Sequence, residues 1–356
     1  MKKIFLTTIA LLSMASATIF GMYGPDSDWI FFLTDGNRFR ARADQLGFTL
    51  GNDTIKGTFG FRNKGFGGQF GKMLNTTDGV NYNFNPTISM GLGYTSSLIS
   101  VGVGYNATIS TNKWTKFNGK TEGKTTEAVA HTPVLVLNAM DNAFRMAIPI
   151  QVYADGDTNA VSVDSQFRYY TGLDMFPEIR LYLRYGSFTT KTGGVTSKEG
   201  ESFGFDFRLY FGSMVEEVAL KPYVKLVYNG ALGKYHDNTR VEAVKVMKKQ
   251  QSGSSVIFAK SAWDLNLVAG LGLTANSDIV SLYLEPSLGL KVEQAASFDK
   301  NAKETYGLGY DVYAEIYITP LKNLEWYFEA SIGNVGNTKG VAFASSTGIT
   351  WYLPAL

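Results

Sequence analysis

Tyr82-Asn83-Phe84-Asn85-Pro86-Thr87-Ile88-Ser89-Met90-Gly91-Leu92-Gly93-Tyr94 alternates large apolar residues with small or polar ones without a slip. Successive strand residues point to opposite faces, so this stretch predicts a β-strand with one greasy face and one wet face. In a sandwich the greasy face would be the core. Here similar stripes recur along the chain, the wet phases carry the charge, and an export signal precedes them. A lipid-facing barrel is the better reading.

Met1-Lys2-Lys3 supplies a positive n-region, Ile4 to Met14 an apolar stretch and Ala15-Ser16-Ala17 a small-x-small cleavage site. Residues 1–17 are therefore expected to be a signal peptide, with cleavage after Gly21 as the alternative. The apolar stretch is shorter than the roughly 20 residues a membrane-spanning helix needs. The chain has no cysteine, which excludes disulfides, thiolate chemistry, cysteine metal sites and a lipidated start.

At 356 residues the chain could form two or three soluble domains or one barrel. Charged residues make up 18% and aromatics 14%, and the 38 glycines are spread rather than gathered in a linker. A net charge of +2, with no basic cluster interleaved with aromatics, points away from nucleic acid as a partner. No later segment is a long unbroken apolar run, so a membrane location requires a closed sheet, which satisfies every backbone group in lipid.

Period-two reading gives strands near 54–62, 80–95, 98–110, 128–138, 143–154, 159–170 and 178–190. It gives a second set near 201–212, 217–230, 257–275, 279–293, 304–319, 323–334 and 340–353. Short connections (Ser96-Ser97, Met140-Asp141-Asn142, Leu173-Asp174, Ser213-Met214, Asn276-Ser277-Asp278, Leu321-Lys322-Asn323) alternate with long ones, notably 63–79, 111–127, 190–200, 231–256 and 294–303. Short turns at one end and long loops at the other are the outer-membrane asymmetry. Residues 18–53 are open to several readings. Leu46, Phe48 and Leu50 could hairpin through Gly51-Asn52-Asp53 onto the next strand, and Trp29 to Leu33 could be a strand or a helix. With both as strands the count is sixteen rather than fourteen; otherwise the segment is a plug, and the barrel is 54–356. The fold expected is an all-β, antiparallel up-and-down transmembrane barrel.

Charges fall on the polar phase, and they segregate by sign. Between 143 and 230 that phase carries Arg145, Arg168, Arg180, Arg184, Arg208, Lys221 and Lys225 against Asp164 and Asp206. Between 257 and 334 it carries Asp264, Glu285, Asp311, Glu315, Glu325 and Glu329 against Lys291. One wall of the lumen is thus expected to be basic and another acidic, giving a transverse field that favours small hydrophilic solutes. The alternative is that the charges pair and fill the lumen. Aromatics near segment ends, such as Tyr94, Tyr169, Tyr170, Phe211, Trp326 and Trp351, fit interfacial girdles, though β-propensity favours them as well.

No enzymatic motif is present, and no motif points to a cofactor or metal. Only His131 and His236 occur. A lone strand histidine such as His131 reads as structural; His236-Asp237 in the 231–256 loop could activate water above a barrel, but a solvated pair is the simpler reading. Gly65-Phe66-Gly67-Gly68-Gln69-Phe70-Gly71 reads as a loop with no helix after it.

Phe20-Gly21-Met22-Tyr23-Gly24, Phe32-Leu33-Thr34-Asp35-Gly36-Asn37-Arg38-Phe39-Arg40-Ala41-Arg42 and the run from Gln45 to Arg62 resemble the variable surface proteins of Brachyspira spirochaetes. The specific likeness covers about the first sixth of the chain. It implies an abundant outer-membrane protein with antigenic loops facing host antibodies or surface ligands, and brings no catalytic residue. The closing Leu353-Pro354-Ala355-Leu356 lacks the terminal aromatic usual in outer-membrane barrels. The expected function is a surface-exposed porin-like channel in outer-membrane lipid, with a closed-lumen antigen or adhesin and a barrel-mounted hydrolase as alternatives. A homo-oligomer fits this size, but no residue specifies its symmetry.

Overall fold

The computed structural model describes residues 29–42, 45–63, 86–110, 128–154, 158–232, 237–241, 244–248, 259–334 and 341–353. The signal segment, Tyr82 and Phe84, the Gly65–Gly71 loop, the 111–127 loop, His236 and the last three residues lie outside them. The strands in chain order are β1 Arg38–Arg42, β2 Gln45–Gly51, β3 Ile55–Asn63, β4 Pro86–Tyr94, β5 Ile99–Ser110, β6 Ala128–Ala139 and β7 Phe144–Ala154. Next come β8 Thr158–Leu173, β9 Phe176–Thr192, β10 Val195–Tyr210, β11 Ser213–Val215, β12 Val218–Ala231, β13 Asp237–Val241 and β14 Val244–Lys248. The last are β15 Trp263–Asn276, β16 Val280–Gln294, β17 Thr305–Leu321, β18 Leu324–Asn334 and β19 Ala342–Leu353.

Each barrel strand pairs antiparallel with its chain neighbour, β12 pairs with both β10 and β15, and β1 closes the circle onto β19 through Phe39↔Leu353 and Ala41↔Trp351. Apart from the short β11, β13 and β14, this makes a closed sheet of sixteen strands. Closure leaves no free edge to pair with another chain or to go unsatisfied in lipid. The two strands beyond the fourteen with clear periodicity come from 38–51. One is the expected Leu46–Leu50 strand; the other is Arg38–Arg42, not Trp29–Leu33. The stretch 190–200, read as a loop, is instead the end of the β9–β10 hairpin, turning at Gly193 (φ 60°) and Gly194 (φ 83°), which glycine adopts without steric cost. Short turns such as 52–54, 95–98, 140–143 and 322–323 share one end with the chain entering β1 and leaving β19.

The two surfaces are inverted relative to a soluble protein. Leu92, Val103, Leu288 and Leu308 are each 60% exposed or more, whereas Arg40, Thr49, Ser162, Asp206 and Thr350 are 1% or less. The greasy phase faces outward and the polar phase faces the lumen.

Inside the lumen lies a compact apolar cluster. A single 3₁₀ turn, Trp29–Phe31, leads into Phe32 and Leu33, which pack on Val134, Val136 and Ala147 of β6 and β7. The seat for this plug is built from glycine. Gly91 stands opposite Gly104, and Gly93 opposite Gly102, in the β4–β5 register, all on the inner phase. A Cβ at Gly91 would lie 2.7 Å from the Trp29 ring, and one at Gly104 would overlap the same ring. A Cβ at Gly93 would strike Leu33. Four missing side chains therefore make the hollow that Trp29, Phe32 and Leu33 fill, each burial worth roughly 1.5–3 kcal/mol before ordering costs.

Candidate functional site

The plug ends in polar ties that reach three parts of the wall. Arg38 of β1 pairs with Asp35 at 2.7 Å, Lys56 of β3 donates to the Asp35 carbonyl, and Arg145 of β7 donates to Thr34 Oγ1 at 3.0 Å. Burial pushes the Asp35 carboxyl above its ordinary range, against the downward pull of Arg38, Lys56 and Arg145.

Beyond the plug, five cations stand in one cross-strand row. Arg145 is opposite Arg168, Arg168 opposite Arg180, Arg180 opposite Arg208, and Arg208 opposite Lys225. Like charges facing each other on adjacent strands repel, so local sheet rules disfavour this row. Aromatic faces and carboxylates offset the repulsion. Arg168 lies over Phe31 of the plug (4.5 Å), Arg145 over Tyr170 (4.8 Å), Arg180 over Tyr210 (4.5 Å) and Arg208 over Tyr182 (4.9 Å). Glu178 receives Arg180 through two bonds of 2.6 and 2.9 Å and Lys221 through one of 2.8 Å. Asp206 receives Arg208 through two bonds of 2.9 and 2.6 Å. Arg184, nearer the outer end, donates to Asp164 at 3.0 Å and stands 4.0 Å from Asp206. Lys225 closes the row and forms no ion pair among the described residues.

The acidic residues occupy the neighbouring sector and are held mostly by neutral donors. Asp264 takes Asn229 and Asn266, each at 3.1 Å. Glu285 accepts Tyr223 at 2.7 Å and also Tyr283, while Glu315 accepts Tyr313. Glu329 stands directly opposite Glu315 and accepts Ser346 at 2.9 Å. Glu325 accepts Tyr352 at 3.2 Å and lies 3.6 Å from Arg42. Asp311 has no side-chain hydrogen bond or ion pair among the described residues. His131, at the outer end of β6, points outward and bonds Tyr105, as a girdle residue would.

The thirteen predicted wall residues thus share the lumen face, and register adds what phase alone does not give: the row. Sequence reading also passed over Glu178, buried at the start of β9, which anchors two of the cations. It passed over a second basic sector as well, Arg38, Arg40 and Arg42 on β1 with Lys56 and Arg62 on β3. The signal was present, since Arg38-Phe39-Arg40-Ala41-Arg42 alternates with period two.

A closed antiparallel barrel, greasy outside and charged within, defines the class: an outer-membrane-type β-barrel. The chain belongs to the family described as Serpulina hyodysenteriae variable surface protein, whose sequence model matches residues 2–352. A comparison with curated proteins finds no match. Among solved structures the chain is similar to a bacterial polysaccharide outer membrane secretin, at 8% identity and TM-score 0.49, covering 89% of this chain and 97% of that one. It is similar also to the translocator domain of autotransporter NalP from Neisseria meningitidis, at 15% identity and TM-score 0.34, covering 97% of both chains. A third likeness is to OmpT, an outer membrane protein of Vibrio cholerae, at 10% identity and TM-score 0.33, covering 89% and 97%. At these values no residue or activity of those proteins carries over to this chain.

Proposed function

We propose that this surface protein is a porin-like passive channel for small hydrophilic solutes, set in outer-membrane lipid, exported by its N-terminal signal and carrying antigenic loops at its outer end. It performs no catalysis in this reading. The observation that supports it is the unequal burial of the inner face. Trp29, Ile30, Phe32 and Leu33 of the plug and Arg168, Arg184 and Arg208 of the basic wall are below 9% exposure, whereas Arg145, Arg180, Lys225, Glu285, Asp311, Glu315 and Glu329 keep partial access and the Lys221 side chain is 42% exposed. A lumen filled solid would bury all of these charges alike.

The test is single-channel recording of purified protein in planar bilayers at two salt concentrations. Stepwise conductance whose anion preference weakens on Arg180→Glu and Arg184→Glu is the expected result. Silent bilayers from protein that still shows heat-modifiable migration would overturn the channel and leave a closed surface scaffold.

A further inference from the structure

The basic row stops at Lys225, and beyond it the same row carries no charge. Along the same register Lys225 faces Val268 of β15, Val268 faces Gly289 of β16, and Gly289 faces Gly309 of β17. Val268 leans over Gly289, where a Cβ would lie 3.0 Å from its Cγ2, but a Cβ at Gly309 would make only ordinary contacts at 3.8–3.9 Å with Asn334 and the Gly289 carbonyl, so side-chain volume is missing there and the inner face is recessed. One step along β17 on the inner phase stands Asp311, opposite Ser287. The recess thus has a cation at one end and a carboxylate at the other, both partly accessible, and neither forms an ion pair among the described residues.

The other charges around it are already engaged. Arg208 is held by Asp206, Lys291 by Glu293 at 2.5 Å, and Glu285 by two tyrosine hydroxyls. Three strand spacings from Lys225 to Gly309 make roughly 14 Å between Cα atoms. Allowing for the lysine stem, the free length matches one or two amino-acid residues at about 3.6 Å each.

We infer that this recess binds small zwitterions, an amino acid or short peptide, with its carboxylate at Lys225 and its ammonium at Asp311. The inference deepens the channel reading by naming the solute class, yet the site can be tested whether or not the lumen conducts. Each end supplies a charge-assisted hydrogen bond, and the glycine floor between them leaves room for the ligand backbone. A neutral sugar satisfies neither end, and a simple anion or cation satisfies one.

Calorimetric titration of the detergent-solubilised full chain with diglycine is the first measurement, beside N-acetylglycine, which keeps only the carboxylate, and glycinamide, which keeps only the ammonium. Diglycine should bind saturably and each half-ligand at least about tenfold more weakly, the loss of one charged hydrogen bond. Lys225→Met should cost diglycine and N-acetylglycine affinity while sparing glycinamide; Asp311→Asn should do the reverse. Absence of saturable diglycine binding, or equal binding of all three ligands, overturns the site. So does diglycine affinity unchanged in both variants. Gly309→Leu, which fills the recess without touching either charge, should abolish diglycine binding while heat-modifiable migration persists. Silent bilayers alongside charge-specific diglycine binding would sink the channel and leave the site standing.

Discussion

The β4–β7 sector of the lumen and the β8–β18 sector are lined by the same side of the same sheet, and they solve opposite problems. Where the plug docks, the first offers glycine, valine and alanine, set among small polar residues such as Ser89, Asn106 and Thr132, and it exists to be covered: Trp29, Phe32 and Leu33 complete it. The second is made of charges and tyrosines whose partners lie mostly within the wall itself. Apolar burial supplies the order in one, and paired electrostatics supplies it in the other. An inner barrel face therefore has no single chemistry; it depends on whether chain or solute is to occupy it.

The sharpest way to break the contrast is to remove the glycine seat. Gly91→Leu with Gly104→Leu places side chains where the Trp29 ring lies and should undock the plug. The gross loss is about 6–12 kcal/mol for the burial of Trp29, Ile30, Phe32 and Leu33. With the other four tryptophans replaced by phenylalanine, Trp29 fluorescence should become open to acrylamide quenching while the barrel still shows heat-modifiable migration. Protected fluorescence would mean that the plug is held elsewhere.

Next in size is Glu178→Ala in the charged sector. It strands the largely buried Arg180, and leaving a buried ion without its partner costs about 3–5 kcal/mol, whereas Lys221, 42% exposed, stays solvated. The urea midpoint should fall, and Arg180→Met in the same chain should restore part of the loss. A midpoint unmoved by Glu178→Ala would show that the tyrosine contacts alone hold the row. On the outer face, Val103→Arg should cost roughly 2–4 kcal/mol near the bilayer midplane, read as unfolding in lipid vesicles. An unchanged midpoint there would contradict the orientation of β5.

The barrel was legible in the sequence because lipid outside and water inside impose strict period-two alternation wherever a strand spans, as at Met90, Leu92 and Tyr94. The wall charges were legible for the same reason. The cation row was not, since facing residues such as Arg168 and Arg180 are set by strand register, which periodicity does not determine. The plug was only half legible. Trp29-Ile30-Phe31-Phe32-Leu33 is apolar throughout, which suits a strand as well as a buried turn. What decides is the pair of glycine steps at 91/93 and 102/104, visible in the sequence but meaningful only once β4 faces β5. Arg38–Arg42 was hidden differently, because five residues with charges on alternate positions look like a solvated linker until β19 pairs with them.

The smallest effect concerns the link between the two sectors, where Asp35 sits among Arg38 of β1, Lys56 of β3 and Arg145 of β7. Burial raises its carboxyl above the ordinary 3.8 despite these cations, so the docked plug favours the protonated form. Linkage sets the sign: docking is tightest below 3.8 and weakens as pH rises through the raised value. In the single-tryptophan chain, quenching of Trp29 should therefore increase modestly from about pH 3 to pH 8. Asp35→Asn should flatten the profile at its acid end. If quenching instead decreases with pH, the ion pair with Arg38 outweighs desolvation, and the plug would be an electrostatic latch like the wall it touches rather than an apolar stopper.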